Sequence, residues 1–198
     1  MTDCSKSDFC FSRRTALRGV AGGLVITTFA QSDIVEAATG KPDLSREIYP
    51  ELRVAKASEL VEGRPAAFAY PLKQQPNLLV KLGTEARRGI GPERDIVAFS
   101  TLCPHMGGPL RGRYRHDSKA LGPCPMHFST FDLTKGGIPV HAQATQNLPQ
   151  IVLRLDGDDI VAVGVIGLIY GQRNNLEGGD FVEGAERPAG AGRRIMRG

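Results

Sequence analysis

Two short segments each pair a thiol with an imidazole: Cys103-Pro104-His105-Met106-Gly107-Gly108 and Cys124-Pro125-Met126-His127-Phe128-Ser129. Reduced to spacing, they read C-x-H, then eighteen residues, then C-x-x-H. Thiolates are soft donors that suit one iron, and two neutral imidazoles can occupy the second iron of a two-iron, two-sulfide cluster. The same four side chains also suit a tetrahedral zinc ion, and the two cysteines alone could form a disulfide in an oxidising compartment. Proline fixes φ and glycine lets the backbone approach a cluster closely, so both residue types fit ligand loops. His116 and His141 lie outside the two segments and read as ordinary polar surface residues.

Loops of this kind must be held by something rigid. The runs at residues 66–70, 78–82 and 96–101 are short, rich in Val, Phe, Tyr and Leu, and bounded by Pro, Gly and Asn, which predicts strands. Residues 52–55 predict a first strand. Residues 151–155 and 160–165 alternate around Asp156-Gly157-Asp158-Asp159, a hairpin signal, and 168–170 predict a last strand. An all-β core follows. The 198 residues suit one main domain, and 24 Gly, 13 Pro, no Trp and 6% aromatic residues disfavour a helix bundle. The net charge of +4 comes without a run of like charges, so nucleic acid is not an expected partner. From Gln172 onward no apolar periodicity survives, and residues 176–198, ending Arg193-Arg194-Ile195-Met196-Arg197-Gly198, are expected to form a flexible tail.

The N-terminus reads as an address. Ser12-Arg13-Arg14-Thr15-Ala16-Leu17-Arg18 precedes a weakly apolar stretch, 19–30, and the small-residue site Val35-Glu36-Ala37. Residues 1–37 thus resemble a twin-arginine export signal, carried by proteins exported already folded, with Ala16 and Arg18 departing from the usual aromatic and lysine. The alternative is an uncleaved membrane anchor. Cleavage after Ala37 would remove Cys4 and Cys10 and leave Cys103 and Cys124 as the remaining cysteines.

The two-loop pattern resembles the Rieske motif in both spacings, both prolines, and the Gly-Pro-Leu and Phe-Asp that follow the loops. That resemblance implies a Rieske-type antiparallel β-sandwich base with a smaller inserted cluster-binding subdomain, about 102–140, inside a domain of about 41–175. It also implies one 2Fe-2S cluster, with Cys103 and Cys124 on one iron and His105 and His127 on the other. Two ferric ions, two sulfides and two thiolates sum to zero charge, so the cluster takes up an electron more readily than one with four thiolates. Ser129 matches a serine that donates a hydrogen bond to the cluster in high-potential members, whereas Phe131 replaces a tyrosine donor; a middling potential is expected. Most members also join their loops by a disulfide, at positions that here hold Gly108 and Met126. The loops must then be held by the cluster, by packing of Met106, Met126 and Phe128, or by a partner, and the cluster is expected to be more labile in the isolated chain than in a complex.

A Rieske oxygenase needs a second iron site, and only His116 and His141 are spare, with 57 residues after His141. A cytochrome bc Rieske subunit normally keeps the disulfide and the tyrosine. The stretches 80–83, 91–100, 127–132 and 162–171 instead resemble the small subunit of arsenite oxidase, over roughly residues 49–175. That family implies a periplasmic heterodimer with a large molybdopterin subunit that oxidises arsenite to arsenate. Electrons then leave through this chain to a soluble cytochrome c or a blue-copper protein. The related iodate reductase would run electrons inward through a similar small subunit, and a structural zinc subunit is the reading from another class.

Overall fold

The computed structural model describes residues 48–185. The export signal and residues 186–198 of the expected tail therefore lie outside the described residues. Among the described residues, ten strands and one short 3-10 turn make up the regular structure: β1 (Leu52–Lys56), the turn Ala57–Glu59, β2 (Ala66–Ala69), β3 (Pro76–Lys81), β4 (Ile96–Ser100), β5 (Tyr114–Arg115), β6 (Ala120–Leu121), β7 (Thr130–Asp132), β8 (Ile138–His141), β9 (Gln150–Asp156) and β10 (Asp159–Ile166). The fold class is all-β, as the short apolar runs require. Among the described residues no helix is long and apolar enough to cross a membrane.

Six strands form one antiparallel sheet in the order β1-β10-β9-β4-β3-β2, and the remaining four form a second, β5-β6-β7-β8. The smaller sheet is drawn from the chain between β4 and β9. The hairpin at 156–159 joins β9 to β10 as its Asp-Gly signal predicts, and Ser58 clasps the turn through its backbone N–H and hydroxyl, which donate to Asp158 at 2.9 and 2.6 Å. These two bonds hold the Asp158 carboxyl below its usual range.

Why β3 and β4 are so apolar becomes clear from the two cores. Leu78, Val80, Val97 and Phe99 pack with Leu110, Leu121, Phe131 and both cysteines in one cluster, while Leu79, Ile96 and Ala98 pack with Tyr70, Ile151, Leu153 and Ile160 in the other. Alternate residues of a strand point to opposite faces. With both faces covered, every residue of β4 is buried, and period-2 alternation of polar and apolar residues gives way to continuous runs. The cysteine pair thus rests on one face of the base sheet, and the second core rests on the other.

Two expectations change. Residues 168–170 form no strand: the Ile169 N–H donates to the Asn175 side chain at 2.9 Å, and Tyr170 begins a turn. The segment 176–185 does not run free either. Lys73 N–H donates to Asp180 O at 2.9 Å, Val182 N–H to Pro71 O at 3.2 Å, and Leu72 bridges Phe181, so this segment lies along the β2–β3 turn. Backbone bonds, which leave no mark on side-chain periodicity, hold it there together with Val182 and Ala185, which pack against the second core.

Candidate metal centre

Both thiol-bearing segments fold on one backbone plan. Cys103 N–H donates to Gly108 O at 2.9 Å, and Gly107 N–H returns to Cys103 O at 2.8 Å. In the second loop Cys124 N–H donates to Ser129 O at 2.9 Å, and Phe128 N–H to Cys124 O at 2.9 Å. The fourth residue after each cysteine is left-handed, Gly107 at φ +70° and Phe128 at φ +62°. Below the first loop, Leu110 N–H donates to Thr101 O at 2.8 Å, so its stem is closed by the sheet hydrogen-bond pattern that continues from β4.

The loops bring the four expected donors together as two pairs. Cys103 and Cys124 are free thiols, 1% and 2% exposed, and they lie within hydrogen-bonding reach of one another. Burial pushes the Cys103 thiol up, backbone donors at His105 and Met106 draw it down, and Cys124 raises it further. The rings of His105 and His127 stand edge to face with centroids 4.8 Å apart, half-buried at the loop tips. Nδ1 of His127 is buried without a hydrogen-bond partner. Leaving such an atom unsatisfied costs about 1–3 kcal/mol, so it asks for a ligand. Among the described residues no three His, Cys, Asp or Glu side chains are grouped to hold a single ion. A thiol pair below and a ring pair above suit a two-iron group better than one zinc, which needs its four donors around one centre.

Ser129 is fully buried and its Oγ accepts from Ala144 N–H at 3.1 Å, so its own hydroxyl proton is left to donate elsewhere. Phe131, on β7, is fully buried in the cluster that contains both cysteines. Gly108 and Met126 are neighbours: a Cβ on Gly108 would lie 3.1 Å from Met126 Sδ and 2.5 Å from Cys124 Sγ. The thioether therefore stands where a cross-link between the loops would run. Met106, Met126 and Phe128 are 49%, 46% and 63% exposed, and of the three it is Met126, against Gly108, that links the loops. Tyr170 adds a second contact. A Cβ on Gly107 would lie 2.5 Å from its ring, so Tyr170 covers the left-handed turn of the first loop. Nothing in the sequence signalled this contact, since residues 168–170 read as one more strand.

His116 and His141 stay outside the centre. His116, with ring nitrogens within 3.2 Å of Tyr114 Oη and 3.0 Å of Lys119 Nζ, also reaches Glu62 at 3.4 Å, and His141 is exposed on β8. Burial pushes the Tyr114 phenol up to about 12.

Two sheets stacked through a shared core, with paired thiols and paired imidazoles on adjoining loops, define a class of iron-sulfur electron carrier. The model of the Rieske [2Fe-2S] domain matches residues 51–152. The chain belongs to the Rieske family, and its cofactor is one 2Fe-2S cluster. It is 48% identical to iodate reductase subunit IdrB of Denitromonas iodatirespirans over 85% of this chain and 89% of that protein. It is 45% identical to the subunit of the same name from Pseudomonas sp. (strain SCT), over 82% and 83% respectively. Among solved structures, the soluble domain of Rieske protein II from Sulfolobus acidocaldarius superposes with a TM-score of 0.53 at 27% identity, covering 59% of this chain and 78% of that one.

Proposed function

We propose that Cys103, Cys124, His105 and His127 hold the cluster, and that the chain is the electron-transfer subunit of an exported oxidoreductase whose oxyanion chemistry takes place on a large molybdopterin subunit. The observation that carries this is the pairing of two free, buried thiols beneath two half-exposed imidazoles, one of them with an orphaned Nδ1. When bound, the cluster supplies one-electron exchange. The residues set its conditions. The cysteines sit in the shared core, which excludes water and raises the cost of charge; Ser129 keeps a hydroxyl proton available to stabilise a more negative state; and the rings reach the surface, which shortens the path to a docked carrier.

Two relatives near half identity named as iodate reductase subunits favour iodate as the partner's oxyanion, with electrons flowing inward. The stretches 80–83, 91–100, 127–132 and 162–171 favour a second reading, arsenite oxidised and electrons leaving to a soluble cytochrome c or a blue-copper protein. Export by the twin-arginine route to the periplasm follows from Arg13 and Arg14 and is part of the proposal. Co-production with the neighbouring large subunit, followed by iodate reduction and arsenite oxidation assays on one preparation, separates the two. Low-temperature paramagnetic resonance of the reduced chain must show a cluster signal that Cys103→Ser and His127→Ala each remove; a colourless, zinc-bearing chain overturns the whole reading.

A further inference from the structure

A second feature of the molecule lies at the feet of the loops rather than at their tips. A cleft of about 440 Å³ opens between β2 and the turn that leads into β5. Its floor includes Leu78, Thr101, Leu110 and Leu121, residues that flank or underlie both cysteine loops. The cleft exists because of the residues in β2. Ala67 pairs with Leu78 and Ala69 with Pro76, and cross-strand partners share a face. On that face β2 thus offers only methyl groups, where β3 and β4 offer Leu78, Val80, Val97 and Phe99.

β2 is also the end of the six-stranded sheet, and its sequence Ala66-Ala67-Phe68-Ala69 has neither charge nor proline to blunt the edge. A bare apolar edge strand is a template for another strand, and proteins that must not pair there guard it. The rim adds a sign. Two bases, Lys73 and Arg111, line the cleft and no acid does. Arg111 has no ion pair among the described residues, and Lys73 meets only the solvent-exposed Glu183 at 3.4 Å. The chain's own C-terminal residues 186–198 carry Arg187, Arg193, Arg194 and Arg197 against the single acid Glu186, so their charge is wrong for this rim.

We infer that this cleft receives an extended segment of the large partner subunit, apolar toward the floor and acidic toward Lys73 and Arg111, laid along the edge of β2. The inference rests on the proposed function and deepens it: the segment braces the feet of both loops, which no disulfide joins. Permanent burial of an apolar floor suits a retained subunit rather than a carrier that must come and go. Burial by the partner also places the brace beneath Thr101, Leu110 and Leu121, away from the imidazole tips where electrons pass.

The test uses the full, cluster-loaded chain and the purified large subunit. Lys73→Glu with Arg111→Glu should slow association about tenfold and flatten its salt dependence, as rim charges do. Ala67→Phe, which plugs the cleft from within, should speed dissociation by about tenfold or more. Neither change should move the cluster's paramagnetic resonance signal or midpoint, and in both variants a chelator should strip the cluster from the mixture faster than from the wild-type mixture, toward the rate of the free chain. Removal of residues 186–198 should leave association unchanged. Wild-type binding retained by both variants overturns the inference alone, and so does a gain in association on removing the tail, which would make the tail the occupant. No association even with the wild-type chain overturns the functional reading along with it.

Discussion

The two cysteine loops share a backbone and differ in almost everything attached to it. Each has the same pair of hydrogen bonds about its cysteine and a left-handed residue four positions on. Yet that residue is a covered glycine in the first loop, with the Tyr170 ring lying on it, and an exposed phenylalanine in the second. The histidine stands two residues after Cys103 but three after Cys124. The backbone turn therefore does not depend on glycine. A left-handed non-glycine residue costs about 1–2 kcal/mol, and the second loop bears that cost within a stem that is otherwise the same. What each loop adds is local: one is sheltered, one presents an aromatic ring to solvent beside His127.

Breaking this equivalence starts with the thiols. Cys103→Ser and Cys124→Ser are expected to abolish the cluster to the same extent, read as loss of visible absorption and of iron; a cluster retained by either variant would show that one loop suffices. Next, Gly108→Cys combined with Met126→Cys places a thiol on each of two neighbouring positions. A cross-link there should slow chelator-driven cluster loss from the isolated chain, measured after oxidation and again after reduction. The new Cβ at 108, 2.5 Å from Cys124 Sγ as the loops stand, forces the first loop to shift and offsets part of the about 2–4 kcal/mol that a cross-link adds. The glycine side of the comparison is sharpened by Gly107→Ala. It combines the left-handed penalty with a clash against Tyr170, about 2 kcal/mol together, and should lower the thermal midpoint by about 4–8 °C. Tyr170→Ala in the same background should recover part of that loss.

Smaller effects follow on the core side. Phe131→Tyr introduces a hydroxyl into the cluster that contains both cysteines. A hydrogen bond to a charged group contributes about 1.5 kcal/mol or more, which for one electron is about 60 mV upward. An unchanged midpoint in a redox titration would place the new hydroxyl out of reach of the cluster. The smallest change expected is for Phe128→Gly, which exchanges relief of strain for a more flexible unfolded chain. Stability should stay within about 1 kcal/mol, and the cluster signal should be unaltered.

The proposed donors stood out in the sequence because cluster chemistry needs particular residue types at particular spacings, and Cys103, His105, Cys124 and His127, which the fold brings together as two pairs, have few substitutes. The strands β3, β4, β9 and β10 were legible for another reason: two-sided burial or a strong turn signal leaves a long apolar or alternating trace. Strands β5 to β8 span only two to four residues each, too short for any period to register. The run 168–170 misled because Tyr170 covers Gly107 and Ile169 is buried with its N–H on the Asn175 side chain, and neither takes part in a ladder. The segment 176–185 misled in the opposite sense, since bonds from Lys73 N–H and Val182 N–H demand no side-chain pattern and the two packed residues, Val182 and Ala185, are too few to show one. The contact of Met126 with Gly108 is a property of two loops at once, which no single stretch of sequence encodes.

Strands β3 and β4 carry a core on each face, so the cluster pocket has no floor of its own. Heating that loosens Phe99 or Val97 must disturb the packing under the thiols at the same moment as the outer layer around Ile151 and Ile160. On heating, bleaching of the chromophore and loss of sheet dichroism should therefore trace a single coincident transition.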